Sequence, residues 1–402
     1  MADEENQIEP VKELKRGPKK KRRRLLGIAL SIASLVILSY ISITLITGQE
    51  SIFTQIAGLF RPSAPVEPAD ELFFDIGRNR VYADLGGSIA AAGTLGVQVL
   101  DRGGAETMRD TLRISTPLIG VADGWAIAFD IGGTSVRTFT GSQLSASIET
   151  NGTIVSASIN RNGWFTVCTQ EGAAYRSIVT VYDDKGGSAY RVSLATGYAL
   201  HAEPSPDNSG LAVLSLTDDG SRIAIYSLRS EEPESVSDYH GALVLDIKYL
   251  PGGEILMVSM DSLKVIRTDG SATDLFAFDG GRLGRYYLSD SVIALHILDY
   301  GIGYSGRLIT IDMNGKLLGG VLTDKAIISL SASGGYLATL QSDGPVFYDF
   351  DMNEYPPTRD LSDAAGATQV ISLGDGAFLV AGDHFAKVFR IGEGEGIDDS
   401  RD

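Results

Sequence analysis

Between Val81 and Gly392 the chain passes eight times through one cycle: a strand-like run, a tight turn, a nearly all-apolar run, and a polar end that is usually acidic. The apolar members align as "GGSIAAAGTLG", "DGWAIAFDIGG", "NGWFTVCTQEG", "NSGLAVLSLTDDG", "PGGEILMVSMDS", "SDSVIALHILDY", "SGGYLATLQSDG" and "GDGAFLVAGDH". The run before each turn begins near residues 81, 118, 154, 198, 243, 283, 326 and 368, so the unit recurs every 36 to 45 residues. A third run follows ("LKVIRTDG", "RLITIDMNG", "RIAIYSLRS"), then a weaker fourth ("ATDLFAFDG"). Val, Ile, Leu, Tyr and Thr fill the runs and Gly, Asp and Asn separate them, which is strand and hairpin chemistry. Four strands per roughly 40 residues predicts the blade of a β-propeller. Second strands apolar on both faces fit sheets packed between two neighbours.

The eighth repeat, Thr368 to Gly392, has only three strands. The missing fourth is expected from "ELFFDIG" (71–77), which resembles the fourth strand "DLFAFDG" (274–280). A ring closed this way joins both ends of the repeat region in one sheet and leaves no open edge. The expected fold is thus all-β, an eight-bladed propeller of four-stranded blades, with seven blades as the alternative.

Ahead of the repeats stands "KKKRRRLLGIALSIASLVILSYISITLITGQE". Leu25 to Ile46 carry no charge, and at about 1.5 Å per residue such a helix crosses about 30 Å of hydrocarbon. Its length exceeds a signal-peptide core, and the first small-residue site, "PSAP" at 62–65, lies far downstream. A retained transmembrane helix is therefore predicted ahead of a cleaved signal or a soluble nuclear protein. Residues 1–24 hold nine Lys/Arg, among them Lys19, Lys20, Lys21, Arg22, Arg23 and Arg24, against five acids. None of these cations recurs just after the span, so the rule that basic flanks stay inside puts the N-terminus in the cytoplasm and the body outside. The same cations can contact anionic lipid. Since the net charge is −17 and the tail contributes +4, the rest carries −21, which repels phosphate backbones and argues against a nucleic-acid partner. The layout reads as a basic tail (1–24), a transmembrane helix (25–47), a juxtamembrane segment with a Pro-rich spacer (48–70), the propeller (71–393) and an acidic tail (394–402). Cys168 is alone, so there is no intrachain disulfide, no CxxC and no zinc cluster, and "GWFTVCTQ" reads as a buried strand.

The stretch "SPDNSGLAVLSLTDDGSRIAIYSL" (205–228) resembles the blade pattern of the WD40-like and quinoprotein-like propeller superfamily. The whole layout resembles an uncharacterised family of single-pass membrane proteins of Gram-positive bacteria with a propeller ectodomain. That resemblance implies fold and topology and carries no active-site residues. The Gly-His and Trp-Asp pairs of true WD40 units are absent, and Trp125 and Trp164 form no recurrent cofactor-docking motif, so no cofactor is expected.

Catalytic and metal signatures are missing as well. The four histidines (His201, His240, His296, His384) lie in different repeats, none at metal-ligand spacing, and His296 reads as a satisfied strand residue. No G-x-S-x-G elbow or phosphate loop occurs, and "DFDMNEY" (349–355) lacks the glycine and terminal Glu of a calcium loop. One pattern recurs: an acid at or just after the second strand in seven repeats, Asp130, Glu171, Asp218, Asp261, Asp299, Asp343 and Asp383. Turn capping explains them locally. As equivalent positions of a ring they would also share one face, as a negative annulus around the channel favouring a cation or a basic partner segment. The same face receives the long link "DYGIGYSGR" (299–307), where Tyr300 and Tyr304 offer amphipathic contact surface among glycines, and the segment around Tyr239 and His240. That link reads either as an Ω-like surface loop or as a binding rim. The functional expectation is an extracytoplasmic module, tethered to the membrane, that binds a protein, a peptide or a wall polymer. The alternative is a lyase or hydrolase using channel acids, whose sign would be a basic residue and an acid converging in the channel.

Overall fold

A computed structural model describes residues 69–392, apart from positions 173 and 302. The predicted basic tail, membrane span, juxtamembrane segment, most of the spacer and the acidic C-terminal tail lie outside the described residues. Inside them stand eight antiparallel sheets in a ring, seven of four strands and a last one of three. Each blade is a meander whose first strand borders the axis and whose fourth lies outermost. The first strands are Val81–Asp84, Pro117–Ala122, Thr153–Ile159, Tyr198–Pro204, Val244–Tyr249, Arg282–Leu288, Ile327–Ser333 and Gln369–Ser372, close to the starts expected from the repeat. The only helical element among the described residues is a 3-10 turn, Leu361–Ala364.

The reason for all-apolar second strands is visible in the packing. Side chains alternate across a strand, and here both faces are interior. In Val292–Leu298, Ile293, Leu295 and Ile297 join the apolar cluster shared with blade 5. Val292 and Ala294 join the one shared with blade 7. Eight such clusters occupy the eight interfaces between neighbouring blades, so the core is a ring of eight small cores. Fourth strands are the more exposed ones, and Pro233–His240 alternates strictly between half-buried and exposed positions.

Ring closure uses three devices. Leu72 donates its N–H to Ala386 O and Val388 donates to Asp70 O, so the segment expected as the missing strand does pair with the last blade. The pairing is short. From Phe73 the segment crosses to blade 1, where Ile76 O accepts from Leu95 N, and Leu72, Phe74 and Ile76 fill the interface between blades 8 and 1. The rest of that outer edge is covered from blade 7: Thr358 donates to Arg390 O, and Gly392 donates to Pro356 O. Finally, the Gln369 amide imitates a strand neighbour, its Oε1 accepting from Tyr82 N at 3.0 Å and its Nε2 donating to Tyr82 O at 2.9 Å.

A second feature was not expected. In blades 3 to 7 the register between first and second strands slips by one residue, with Val155, Leu200, Leu245, Gly284 and Ile328 as the extra residues. These β-bulges re-aim the side chains that follow. They place Ser156, His201, Asp246, Arg285 and Ser329 at equivalent positions around the axis.

Candidate functional site

The meander fixes two distinct ends of the ring. Turns between second and third strands, together with the links between blades, lie at one end. Hairpins between first and second strands lie at the other. All seven recurrent acids stand at the first end, two strands out from the axis, and their local contacts differ. Asp130 is buried and its Oδ1 accepts from Thr116 N at 2.7 Å, tying the turn to the link that enters the same blade. Asp261 accepts from the Ser259 and Ser262 hydroxyls within its own turn. Glu171 pairs with Arg191 at 3.2 Å and Asp343 with Lys325 at 3.1 Å. Asp218, Asp299 and Asp383 are exposed. His240 bonds Asp219 at 2.7 Å, and that contact lowers the Asp219 carboxyl below its usual range. Tyr239 is half-buried against the cluster between blades 4 and 5.

The tyrosine link stands out at this end. Tyr300 is 82% exposed and Tyr304 57%. Leu322, which no motif in the sequence marks, is 84% exposed. Its pairing with Arg307 sets it beside the end of the same loop. A shallow cavity of about 520 Å³ lies there between blades 6 and 7, bordered by Asp299, Leu322, Asp324 and Lys325. Under the loop His296 is only 2% exposed, as expected of a strand residue, but its Nε2 has no hydrogen-bond partner; desolvation lowers its pKa.

The channel opens at the opposite end, into a cavity of about 600 Å³ lined by the C-terminal halves of the first strands and their hairpins. None of the seven recurrent acids borders it. Instead it gathers His201, Glu203, Asp246, Lys248 and Tyr286 from blades 4, 5 and 6. His201 Nε2 lies 3.4 Å from Glu203 Oε1 and 3.8 Å from Asp246 Oδ1. The Tyr286 hydroxyl donates to Asp246 Oδ2 at 3.0 Å, and Tyr249 N donates to Glu203 Oε2 at 3.2 Å. Lys248 turns away to Asp290 at 3.3 Å. Burial pulls the His201 pKa down, but the Glu203 hydrogen bond and the Asp246 and Glu203 charges outweigh it, and the net direction is up. Burial, then the Asp246 charge, push the Tyr286 phenol far up, so it stays protonated. A basic residue and acids thus converge in the channel, and they are other residues than the recurrent acids. Aligning the first strands "YALHAEP", "VLDIKY" and "RLGRYYL" exposes their polar residues; the bulges, which set which way they point, leave no mark in sequence.

Compared with known proteins, residues 73–349 match the model of a family described as of unknown function, DUF5711. Among solved structures, the C-terminal WD40 domain of Sif2 superposes with a TM-score of 0.58 at 12% identity, covering 82% of this chain and 98% of that one. BamB from Moraxella catarrhalis superposes with a TM-score of 0.51 at 13% identity, covering 81% and 99%. At such identities the likeness is one of fold. No curated protein sequence matches the chain.

Proposed function

The chain belongs to the DUF5711 family, and from that premise we propose that it is a membrane-tethered, extracytoplasmic propeller that binds a protein, peptide or wall polymer. The tether rests on the uncharged run Leu25–Ile46 and the cations before it. The single observation supporting the binding role is the rim on blade 6, where Tyr300, Tyr304 and Leu322 are exposed together. A soluble fold gains nothing from two aromatics and a leucine held in water, whereas aromatic anchors often supply about 2 kcal/mol or more each to an interface. Exposed acids at the same end steer a basic partner and act on association rate.

Two experiments test this. Protease added to intact cells should remove the propeller and leave the basic tail protected; a digested tail or a mature form lacking residues 1–64 contradicts the tether. For binding, Tyr300→Ala with Tyr304→Ala should weaken a captured partner at every salt concentration. Neutralising Asp218, Asp299 and Asp383 should matter chiefly at low salt. Unchanged affinity in the tyrosine pair sinks the rim.

The enzyme alternative draws on the His201, Glu203, Asp246 and Tyr286 group. That group favours its charged imidazole and its protonated phenol. Two carboxylates converging on one imidazole nitrogen suit holding a positive charge.

A further inference from the structure

We propose that the channel cavity is a binding site for an organic cation, a primary ammonium or guanidinium, seated between Glu203 and Asp246 in competition with the proton on His201. This site lies at the other end of the ring from the blade 6 rim and does not depend on it.

The charge balance of the cavity wall points there. Asp84 is neutralised by Arg102 at 2.7 Å, and Asp290 by Lys248. Glu203 and Asp246 have no Lys or Arg partner among the described residues, and their side chains are only 20% and 26% exposed. Two partly buried carboxylates without a permanent cation are costly unless something positive joins them. The one group placed to do so is His201, whose Nε2 both carboxylates approach.

The geometry selects the class of ligand. Among the described residues no set of three or more His, Cys, Asp or Glu side chains is arranged to hold a metal ion. An ammonium or guanidinium needs less: hydrogen-bond acceptors on two sides and apolar or aromatic surface around its stem. Each carboxylate is fixed by neighbours that leave lone pairs free, Glu203 by Tyr249 N and Asp246 by the Tyr286 hydroxyl and Ile247 N. The rings of Tyr249, Tyr286 and Tyr287 line the same wall, where an aromatic face attracts a cation. The volume, about 600 Å³, accepts a flexible amine or a side chain entering from the hairpin end.

The competition follows from the groups around His201. Its own strand supplies Glu203; blade 5 supplies Asp246, with Lys248 held off by Asp290; blade 6 supplies neutral Tyr286; farther along the wall stand Arg161 of the blade 3 hairpin and Asp123 of the blade 2 hairpin. The imidazolium therefore fills the seat at low pH. Once His201 loses its proton, the two carboxylates face an open position. Affinity for an added cation should rise with pH as that proton leaves, by up to about tenfold per pH unit.

Calorimetric titration of full-length protein tests this with three probes: spermidine, Nα-acetyl-lysine methylamide and Nα-acetyl-arginine methylamide. At least one should saturate at about pH 8.5 and bind about tenfold or more weaker at about pH 6. Tighter binding of spermidine assigns a free polyamine as the source; tighter binding of a capped amino acid assigns a partner's side chain. The Glu203→Gln, Asp246→Asn pair keeps shape and one acceptor oxygen on each side chain but removes both charges, and should lose binding. His201→Gln should keep binding and lose its pH dependence, and it serves alone if the double variant fails to fold. Absence of saturation by every probe at about pH 8.5, wild-type affinity in the double variant, or affinity that does not rise with pH overturns the site.

Discussion

Cys168 and His201 show how far a residue's chemistry is set by where the ring puts it. Cys168 is fully buried in the core between blades 3 and 4, and burial pushes its thiol up to about 12. At about pH 8 the thiolate fraction is then on the order of one in ten thousand, so the folded protein should not react with a disulfide reagent while the unfolded one reacts at once. Fast reaction of native protein would show an open interface. His201 has the opposite character. Its folded pKa lies above the ordinary 6.5, so it adds stability that is complete below 6.5 and is lost as pH rises through the folded value. The thermal midpoint of wild type should decline over that window relative to His201→Gln; parallel curves would mean Glu203 and Asp246 do not hold the charge.

Among the elements, the N-terminal segment is the most informative, because its alternation can be tested residue by residue. Leu72 and Phe74 are buried in the closing interface and Phe73, between them, is 77% exposed. Truncating the buried pair should cost about 2–5 kcal/mol each, while Phe73→Ala should be nearly neutral. Equal melting temperatures for Leu72→Ala and Phe73→Ala would contradict the clasp. Its resemblance to the fourth strand of blade 5 was enough to predict where this segment goes. The resemblance hid how little of it pairs. Two residues' worth of ladder suffices because the outer edge of blade 8 is completed by 356–358 and the inner edge by the Gln369 amide. A side chain standing in for a strand has no periodic signature, and neither has a one-residue bulge. That is why the strands and their order were readable and the channel group was not. His201 and Asp246 read as unrelated polar residues of different repeats until the slip of register brings the Asp246 carboxylate to the His201 Nε2 that Glu203 also approaches.

At the scale of the whole molecule, the eight interface cores make each blade depend on both neighbours, and closure at blades 8 and 1 makes the ring a single unit. The blade 6 rim stands at one end and the channel cavity opens at the other. The recurrent acids differ in their local contacts: Asp130 and Asp261 serve their turns, Glu171 and Asp343 pair with cations, and Asp218, Asp299 and Asp383 are exposed without a salt bridge among the described residues. The most direct test of the account is a photo-reactive phenylalanine analogue placed at Tyr304 in intact cells, with Lys185 in an exposed hairpin at the opposite end as the comparison. A tethered module that binds through its blade 6 rim should give a discrete crosslinked product from position 304 that disappears with Tyr300→Ala and is not formed from position 185. No product from 304, or the same product from both positions, would contradict it.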